Sequence, residues 1–275
     1  MTDQQQADLR HDEVGAGTTT GLATPSVDVT SERQNSLWSD AWGSLRRNPL
    51  FWLGALLCAL FVLMAIVPQL FAGGADPRNC DLGNSLEPPS AQHWFGFNQQ
   101  GCDYLANVVY GARNSLLIGV LAVLFLLVLG VVVGAIAGFY GRATDSILSR
   151  LTDIFYALPL ILGALVLLRV GPSTGLPVIS DRGAGAVAIA LALFSWMTAM
   201  RLVRSQVIAI KNSDYVAAAR AMGASNSRIL VRHILPNAVA PVLVYATITI
   251  GVLIAAEATL TYLGVGLQRP NISWG

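Results

Sequence analysis

At 275 residues, 54% hydrophobic, 12% charged and with a formal net charge of +1, the chain carries too much apolar surface and too little charge for a soluble domain. The near-neutral balance gives no case for nucleic-acid binding and leaves a polytopic membrane protein.

Residues 1–36 are rich in Gln, Thr, Ser, Asp and Gly and nearly free of large apolar side chains. Such a segment buries too little surface to fold, and a disordered cytoplasmic tail is expected. From Leu37 the pattern changes: Leu37, Trp38, Ala41, Trp42 and Leu45 recur at helical spacing and run into Arg46 and Arg47. This is the pattern of a helix on a membrane surface, or of a Trp/Arg anchor for a first span, and the unit 37–71 joins it to that span.

Apolar runs at 50–71, 114–139, 154–170, 184–203 and 238–263 each approach the ~20 residues that cross ~30 Å of hydrocarbon. Backbone groups find no water there, so only helices or a closed barrel can span, and runs without alternation exclude the barrel. The predicted fold class is all-α, with five spans. Gly130, Gly134 and Gly138 recur every four residues and offer one face to a close neighbour. Pro159 predicts a kink in the third span, and Gly171-Pro172 a turn after it.

Arg46, Arg47, Arg142, Arg150, Arg201, Arg204, Lys211, Arg220, Arg228 and Arg232 flank the spans on one side, while the opposite loops hold Arg78, Arg113, Arg169, Arg182 and Arg269 over greater length. The positive-inside rule puts the N-terminus and the 204–236 loop in the cytoplasm and the 72–112 loop outside, leaving 113–275 as the transmembrane core. Cys80 and Cys102 both fall in the outer loop. A disulfide between them would close about 23 residues and stabilise the segment by roughly 3 kcal/mol on the loop-entropy model. Glu257 is the one acid deep in a predicted span, a candidate gate, helix–helix hydrogen bond or ligand of a translocation path.

The most informative segment is Asn212–Asn237, NSDYVAAARAMGASNSRILVRHILPN. Ser213 or Asn212 can cap a helix through Tyr215, Ala218, Ala219 and Met222, and Gly223 sits where a helix ends in a left-handed residue. Ser225 can cap a second helix with Ile229, Leu230, Ile234 and Leu235 on one side and Arg228 and Arg232 on another. Pro236 and Asn237 are expected to reset the backbone before the last span. Helix, glycine turn and basic amphipathic helix suit a partner's groove; a solvated connecting loop is the plainer alternative.

These residues resemble the EAA coupling loop of bacterial ABC importer permeases, and RHILPN resembles the dipeptide and oligopeptide subfamily. The family's acid, alanine, alanine falls on Ala217, Ala218 and Ala219, its glycine on Gly223, and its leucine and proline on Leu235 and Pro236. Ala217 stands where the family has the acid, so a salt bridge from that position is not carried over. Elsewhere, GFNQQGCD at 96–103 is similar to the family's GTDxxGRD, with Cys102 in place of arginine, and IAAEATLTYLG around Glu257 is similar to AEAxLSFLG.

The resemblance covers residue 38 onward and implies a type I ABC importer permease fold, with a sixth span expected after QRPNISWG at 268–275 and absent from this chain. It implies a permease subunit of an ATP-driven peptide importer in the bacterial cell membrane. Such a subunit sits in membrane lipid beside a second, similar permease, two ATP-binding subunits and an extracytoplasmic substrate-binding protein. Tyr215, Ala217, Ala218, Ala219, Arg220, Met222, Gly223, Ala224 and Pro236 would then contact or position the ATPase. Dipeptides, longer peptides, glutathione and a metal chelate all remain open as substrates.

The only lysine, Lys211, follows VIAI rather than a glycine-rich loop, so no phosphate-binding P-loop is present. His11, His93 and His233 are scattered without metal-ligand spacing, and no Gly-x-Ser-x-Gly elbow occurs. No catalytic residue, metal or cofactor is therefore assigned to this chain, and ATP and Mg belong to the partner subunits. The rival reading is a self-contained channel or ion-coupled carrier.

Overall fold

The computed structural model describes residues 42–43, 45–174, 183–268 and 270–275. The expected tail at 1–36, most of the surface-helix pattern, and Arg182 and Arg269 lie outside the described residues. Two compact units divide at Trp52 and Leu53. In the first, Trp42 and Leu45 are helical, the Trp42 and Phe51 rings meet edge to face at 6.2 Å, and Trp52 Nε1 donates to the Arg46 carbonyl at 3.0 Å. Asn48 Oδ1 accepts from Leu50 N at 3.0 Å, and with Pro49 following it starts helix α1, Pro49–Ile66.

None of the α1 residues is buried although nearly all are apolar, the signature of a lipid-facing span. The first span was expected to reach residue 71. It ends at Ile66 because Pro68 disfavours helix at Val67, and a 3₁₀ turn, Pro68–Leu70, follows.

Helix α2, Tyr104–Tyr140, is 37 residues long, about 55 Å at 1.5 Å per residue. It starts ten residues before the apolar run because the Asp103 side chain accepts from Ala106 N and caps it, so the predicted outer loop at 72–112 closes at Asp103. Gly141, at φ 64°, ends it. Helix α3, Arg142–Tyr156, carries Arg142, Asp145, Arg150 and Asp153 and turns 80° from α4, Leu160–Val170. The third apolar run is thus a bent pair of helices and not one continuous helix from 154 to 170. Pro159 occupies the N-cap of α4 instead of kinking a continuous helix, since its ring and missing N–H break the chain at Leu158. We read α3 as lying outside the hydrocarbon.

The fourth run is likewise broken, into α5, Ala184–Leu193, and α6, Trp196–Ile210, at 52°. Ser195 Oγ donates back to the Leu191 carbonyl at this bend, a bond that competes with the helix ladder. After α7, Asp214–Ala221, a short α8, Asn226–Ile229, passes through a π turn, Leu230–Ile234, into α9, Leu235–Tyr262. From Asn226 to Tyr262 this is one 37-residue helical stretch, so Pro236 does not reset the backbone. It sits in the first turn of α9 after the π turn, where its missing N–H costs least.

Among the described residues three helices are long and apolar enough to cross a membrane, or up to five if each bent pair counts as one span. Among the described residues there is no strand, only one bridge between Phe97 and Asp103. The core is built on α2 against α6. A Cβ on Gly130 would stand 2.6 Å from Ala199 Cβ, one on Gly134 2.5 Å from the Met200 carbonyl oxygen, and one on Gly138 2.9 Å from the Arg204 carbonyl oxygen. The four-residue glycine ridge thus lets two backbones meet with nothing between them. Ile118, Leu126, Leu191, Met200, Leu253 and Leu260 fill the rest at no more than 1% exposure.

Gly134→Val is expected to force α2 from α6 at about 1–3 kcal/mol, read as a lower melting temperature of the detergent-purified protein. Gly251→Ala, on a helix-interior site with no atom within 4 Å of the added carbon, should not lower that temperature.

Candidate functional site

The segment between α6 and α9 forms a compact, two-sided unit. Ser213 stands at the N-cap of α7, but its Oγ donates to the Ile210 carbonyl at 2.7 Å and caps nothing. Asp214 in the first turn complements the helix dipole instead. Gly223 takes φ 80°, the left-handed conformation its position predicts, and Ala224 N bonds the Ala219 carbonyl at 3.1 Å. No atom lies within 4 Å of a Cβ at Gly223, so backbone conformation, not space, requires the glycine.

One side of this unit faces outward: Met222 is 82% and Tyr215 45% exposed, with Ala217, Ala218, Arg220 and Gly223 beside them. The other side buries Val216, Ala219, Ile229 and Ile234 against Val203 and Val207 of α6. Ala219, expected on the docking face, is 3% exposed and anchors α7 from within, because it falls three residues after Val216 on the same helix face. Ala224 packs half-buried against the same cluster, and Pro236 is exposed at the start of α9.

Charged side chains tie this unit, and the helix α6 that carries it, to the bundle. Lys211 Nζ donates to the Gly138 carbonyl at 2.7 Å, closing the free C-terminal end of α2. Arg204 donates through Nε and Nη2 to both oxygens of Asp145, at 2.5 and 2.6 Å. Arg201 reaches Asp153 Oδ1 at 2.7 Å with its guanidinium 4.5 Å over the Tyr156 ring. The Arg204 hydrogen bond holds the Asp145 carboxyl below its usual value against the opposing effect of burial. That stabilisation is present at neutral pH and lost only as pH falls through the lowered value. In the sequence Arg201 and Arg204 served only as topology signals; their partners Asp153 and Asp145 on α3 had no local signature.

At the far end of α2 sits a second constellation. Glu257, fully buried on α9, accepts from Thr261 Oγ1 and Ser273 Oγ at 2.8 Å each and from Ser115 Oγ of α2 at 3.3 Å. Ser115 Oγ in turn accepts from Trp274 N at 3.0 Å, Trp274 Nε1 donates to the Val108 carbonyl at 2.8 Å, and Asn114 Nδ2 donates to the Ile272 carbonyl at 2.7 Å. Residues 270–275 are thereby strapped across α2 and α9. Gly111 makes room for them, since a Cβ there would stand 2.9 Å from the Ser273 carbonyl carbon. Of the roles open to Glu257, the geometry displays the helix–helix acceptor. Thr261, four residues on, was readable from helical spacing, whereas Ser115 and Ser273 were not.

Cys80 and Cys102 are joined, as their placement predicted. Beside them His93 Nδ1 lies 2.6 Å from Asp103 Oδ2, so the α2 cap is itself held by a histidine whose role the sequence did not reveal. Among the described residues no group of three or more His, Cys, Asp or Glu could hold a metal ion.

Residues 130–275 match the model of the binding-protein-dependent transport system inner membrane component, and residues 36–89 that of the N-terminal TM domain of oligopeptide transport permease C. The chain is 39% identical over 249 residues to the oligopeptide transport system permease protein OppC of Bacillus subtilis, covering 90% of this chain and 78% of that protein. It is 39% identical over 241 residues to the dipeptide transport system permease protein DppC of Alkalihalophilus pseudofirmus, covering 87% and 76%. Its identity to the glutathione transport system permease protein GsiD of Escherichia coli O157:H7 is 36% over 251 residues, covering 90% and 78%.

Glu257→Ala leaves three hydroxyl donors without their acceptor and is expected to cost about 1–3 kcal/mol, seen as a lower melting temperature. Thr247→Ala, which removes an exposed hydroxyl bonded only to its own helix, is the matched control. Equal melting of the two variants would deny the Glu257 cluster a structural role.

Proposed function

The chain belongs to the binding-protein-dependent transport system inner membrane component family, and from that premise we propose that it is a permease subunit of an ATP-driven importer of peptides, coupled to ATP-binding subunits through α7, Gly223 and α8. The observation that carries this reading is the two-sided unit itself, with an exposed Tyr215–Met222 face and an inner face locked to α6. In this reading two ATP-binding subunits, which hold the ATP and Mg, seat the exposed faces of this chain and of a second, similar permease. An extracytoplasmic binding protein delivers substrate at the opposite end, and the N-terminus and the 204–236 loop lie in the cytoplasm of a bacterial cell.

The mechanism follows from stiffness. A displacement of α7 acts on α6 through buried Val216 and Ala219, and on the end of α2 through Lys211. Because α2 is one uninterrupted helix, it carries that displacement to the Ser115–Glu257 cluster at its far end. Glu257 would then serve as a gate-positioning acceptor, holding the 270–275 strap in one of two arrangements. To take such an equilibrium from 1:99 to 99:1 the nucleotide cycle must supply about 5.5 kcal/mol of differential binding. With alanine at 217, apolar Met222 and Tyr215 together with Arg220 carry the partner contact.

A peptide cargo is supported by the oligopeptide, dipeptide and glutathione transporters among the relatives. A carrier driven by ions would need a polar group free to bind them, and Glu257 is committed to three hydroxyls.

The direct test is co-purification. An ATP-binding subunit should travel with the tagged chain and be lost on Met222→Glu, whereas a lone chain that moves substrate without an ATPase overturns the reading. Gly223→Val should abolish ATP-driven uptake with membrane insertion intact, since a β-branched residue at that φ costs at least about 1–2 kcal/mol. Lys211→Met should leave ATP hydrolysis running while transport per ATP drops severalfold; an unchanged ratio would remove Lys211 from the coupling path.

A further inference from the structure

We infer that the cavity between Arg78 and Arg113, at the end of the bundle opposite α7, is an oxyanion site that receives the terminal carboxylate of a peptide in transit. The inference rests on the peptide-importer reading above and assigns a substrate-reading role to the permease itself.

The cavity encloses about 560 Å³, inside the range of small-molecule sites. One wall is the α2 face of Tyr110, Arg113, Asn114 and Leu117, residues at the i, i+3, i+4 and i+7 spacing of a single helix stripe. The second is the turn that carries Asp76 and Arg78, and the third is the strap at Pro270–Ile272.

Neither guanidinium forms an ion pair or a side-chain hydrogen bond among the described residues, in contrast to Arg201 and Arg204, which are both paired. Two guanidinium groups without a salt-bridge partner on the lining of one cavity offer planar donor forks whose geometry matches a carboxylate.

The walls are fixed before any ligand arrives. The Cys80–Cys102 bond ties the Arg78 turn to the residue preceding the α2 cap. Asp76 Oδ1 accepts from Arg78 N at 2.9 Å and closes that turn, and Asn114 Nδ2 holds the strap through the Ile272 carbonyl. Fixed walls reduce the ordering cost of binding. Asp76 lines the same cavity and offers a counter-charge to an ammonium group.

A second cavity of about 450 Å³ shares Asn271 and Ile272 with the first. Its polar lining is neutral, with Asn98, Gln100 and Asn107 beside Tyr104 and Trp274. A charged compartment therefore adjoins one of amide donors and acceptors, the sequence of chemistry that a peptide presents from its charged terminus into its backbone. The neutral amide lining beside the charged compartment favours a peptide over a lipid phosphate as the source of the anion, and the lipid composition in the test separates the two.

The test uses the full complex of both permeases, ATP-binding subunits and binding protein, reconstituted in vesicles of zwitterionic lipid. It compares uptake of one short peptide as its free acid and as its C-terminal amide. For each peptide the ratio of Arg78→Gln/Arg113→Gln to wild-type uptake is read, so any preference of the binding protein cancels. Acid uptake should fall about tenfold in the double variant and amide uptake less than twofold, the size expected when charge-assisted bonds to a carboxylate are lost. Arg113→Lys, which keeps the charge without the fork, should fall between, and unchanged basal ATPase activity verifies that the complex is assembled.

An equal fall for both peptides overturns the site. So does a loss that appears only when anionic lipid is added, which would make the anion a lipid phosphate. A wild-type complex that transports neither peptide overturns the peptide reading and this site with it, an outcome distinct from a wild type that transports both.

Discussion

Everything in this molecule hangs on the seating of α6 against the glycine face of α2. In hydrocarbon, apolar side chains gain nothing by leaving lipid for one another, so helices stay together through close contact and interhelical hydrogen bonds. Gly130, Gly134 and Gly138 supply the contact by letting the α6 backbone at Met200 and Arg204 approach to where a methyl group would otherwise stand. Once α6 is fixed there, Lys211 arrives at the open carbonyl of Gly138, Arg204 arrives at Asp145, and the inner face of α7 and α8 finds Val203 and Val207. The α7–α8 segment is placed by this packing more than by any feature of its own.

The two ends of α2 are built from different chemistry. Near α7 the ties are cations on carbonyl and carboxylate oxygens beside buried aliphatics, suited to a boundary where water reaches the charges. Near the strap three hydroxyls converge on one buried carboxylate, while the Trp274 backbone amide donates to Ser115 Oγ and its indole to the Val108 carbonyl. Such a network is worth most where water is absent, because in a low dielectric each bond polarises the next. One continuous helix thus carries ionic ties at one end and a buried neutral hydrogen-bond network at the other.

The span pattern, the glycine face, the left-handed Gly223 and the Cys80–Cys102 pair were legible in the sequence because each is a local signal: a run length, a four-residue repeat, a helix stop, a shared loop. The breaks before Leu160 and at Ser195 were less so. Pro159 marks a disruption but does not state its angle, and Ser195 bends a helix by a side-chain bond that many serines do not make. The inward turn of Ala219, the strap over Gly111 and the Ser115–Glu257–Ser273 bonds depend on residues more than a hundred positions apart or on helix phase, neither of which a family motif encodes.

The π turn at Leu230–Ile234 carries one such phase. Buried Ile229 and Ile234 lie five residues apart, a spacing that an unbroken α-helix would spread around its circumference, and Ala238 resumes the usual four. One residue of wider winding thus sets the rotation between the basic face of α8 and the lipid face of α9, at about 100° per residue gained or lost. Inserting or deleting one residue in this stretch would rotate α7 and α8 about the axis of α9, so the length of the stretch, and not only its side chains, decides which face of that segment points outward.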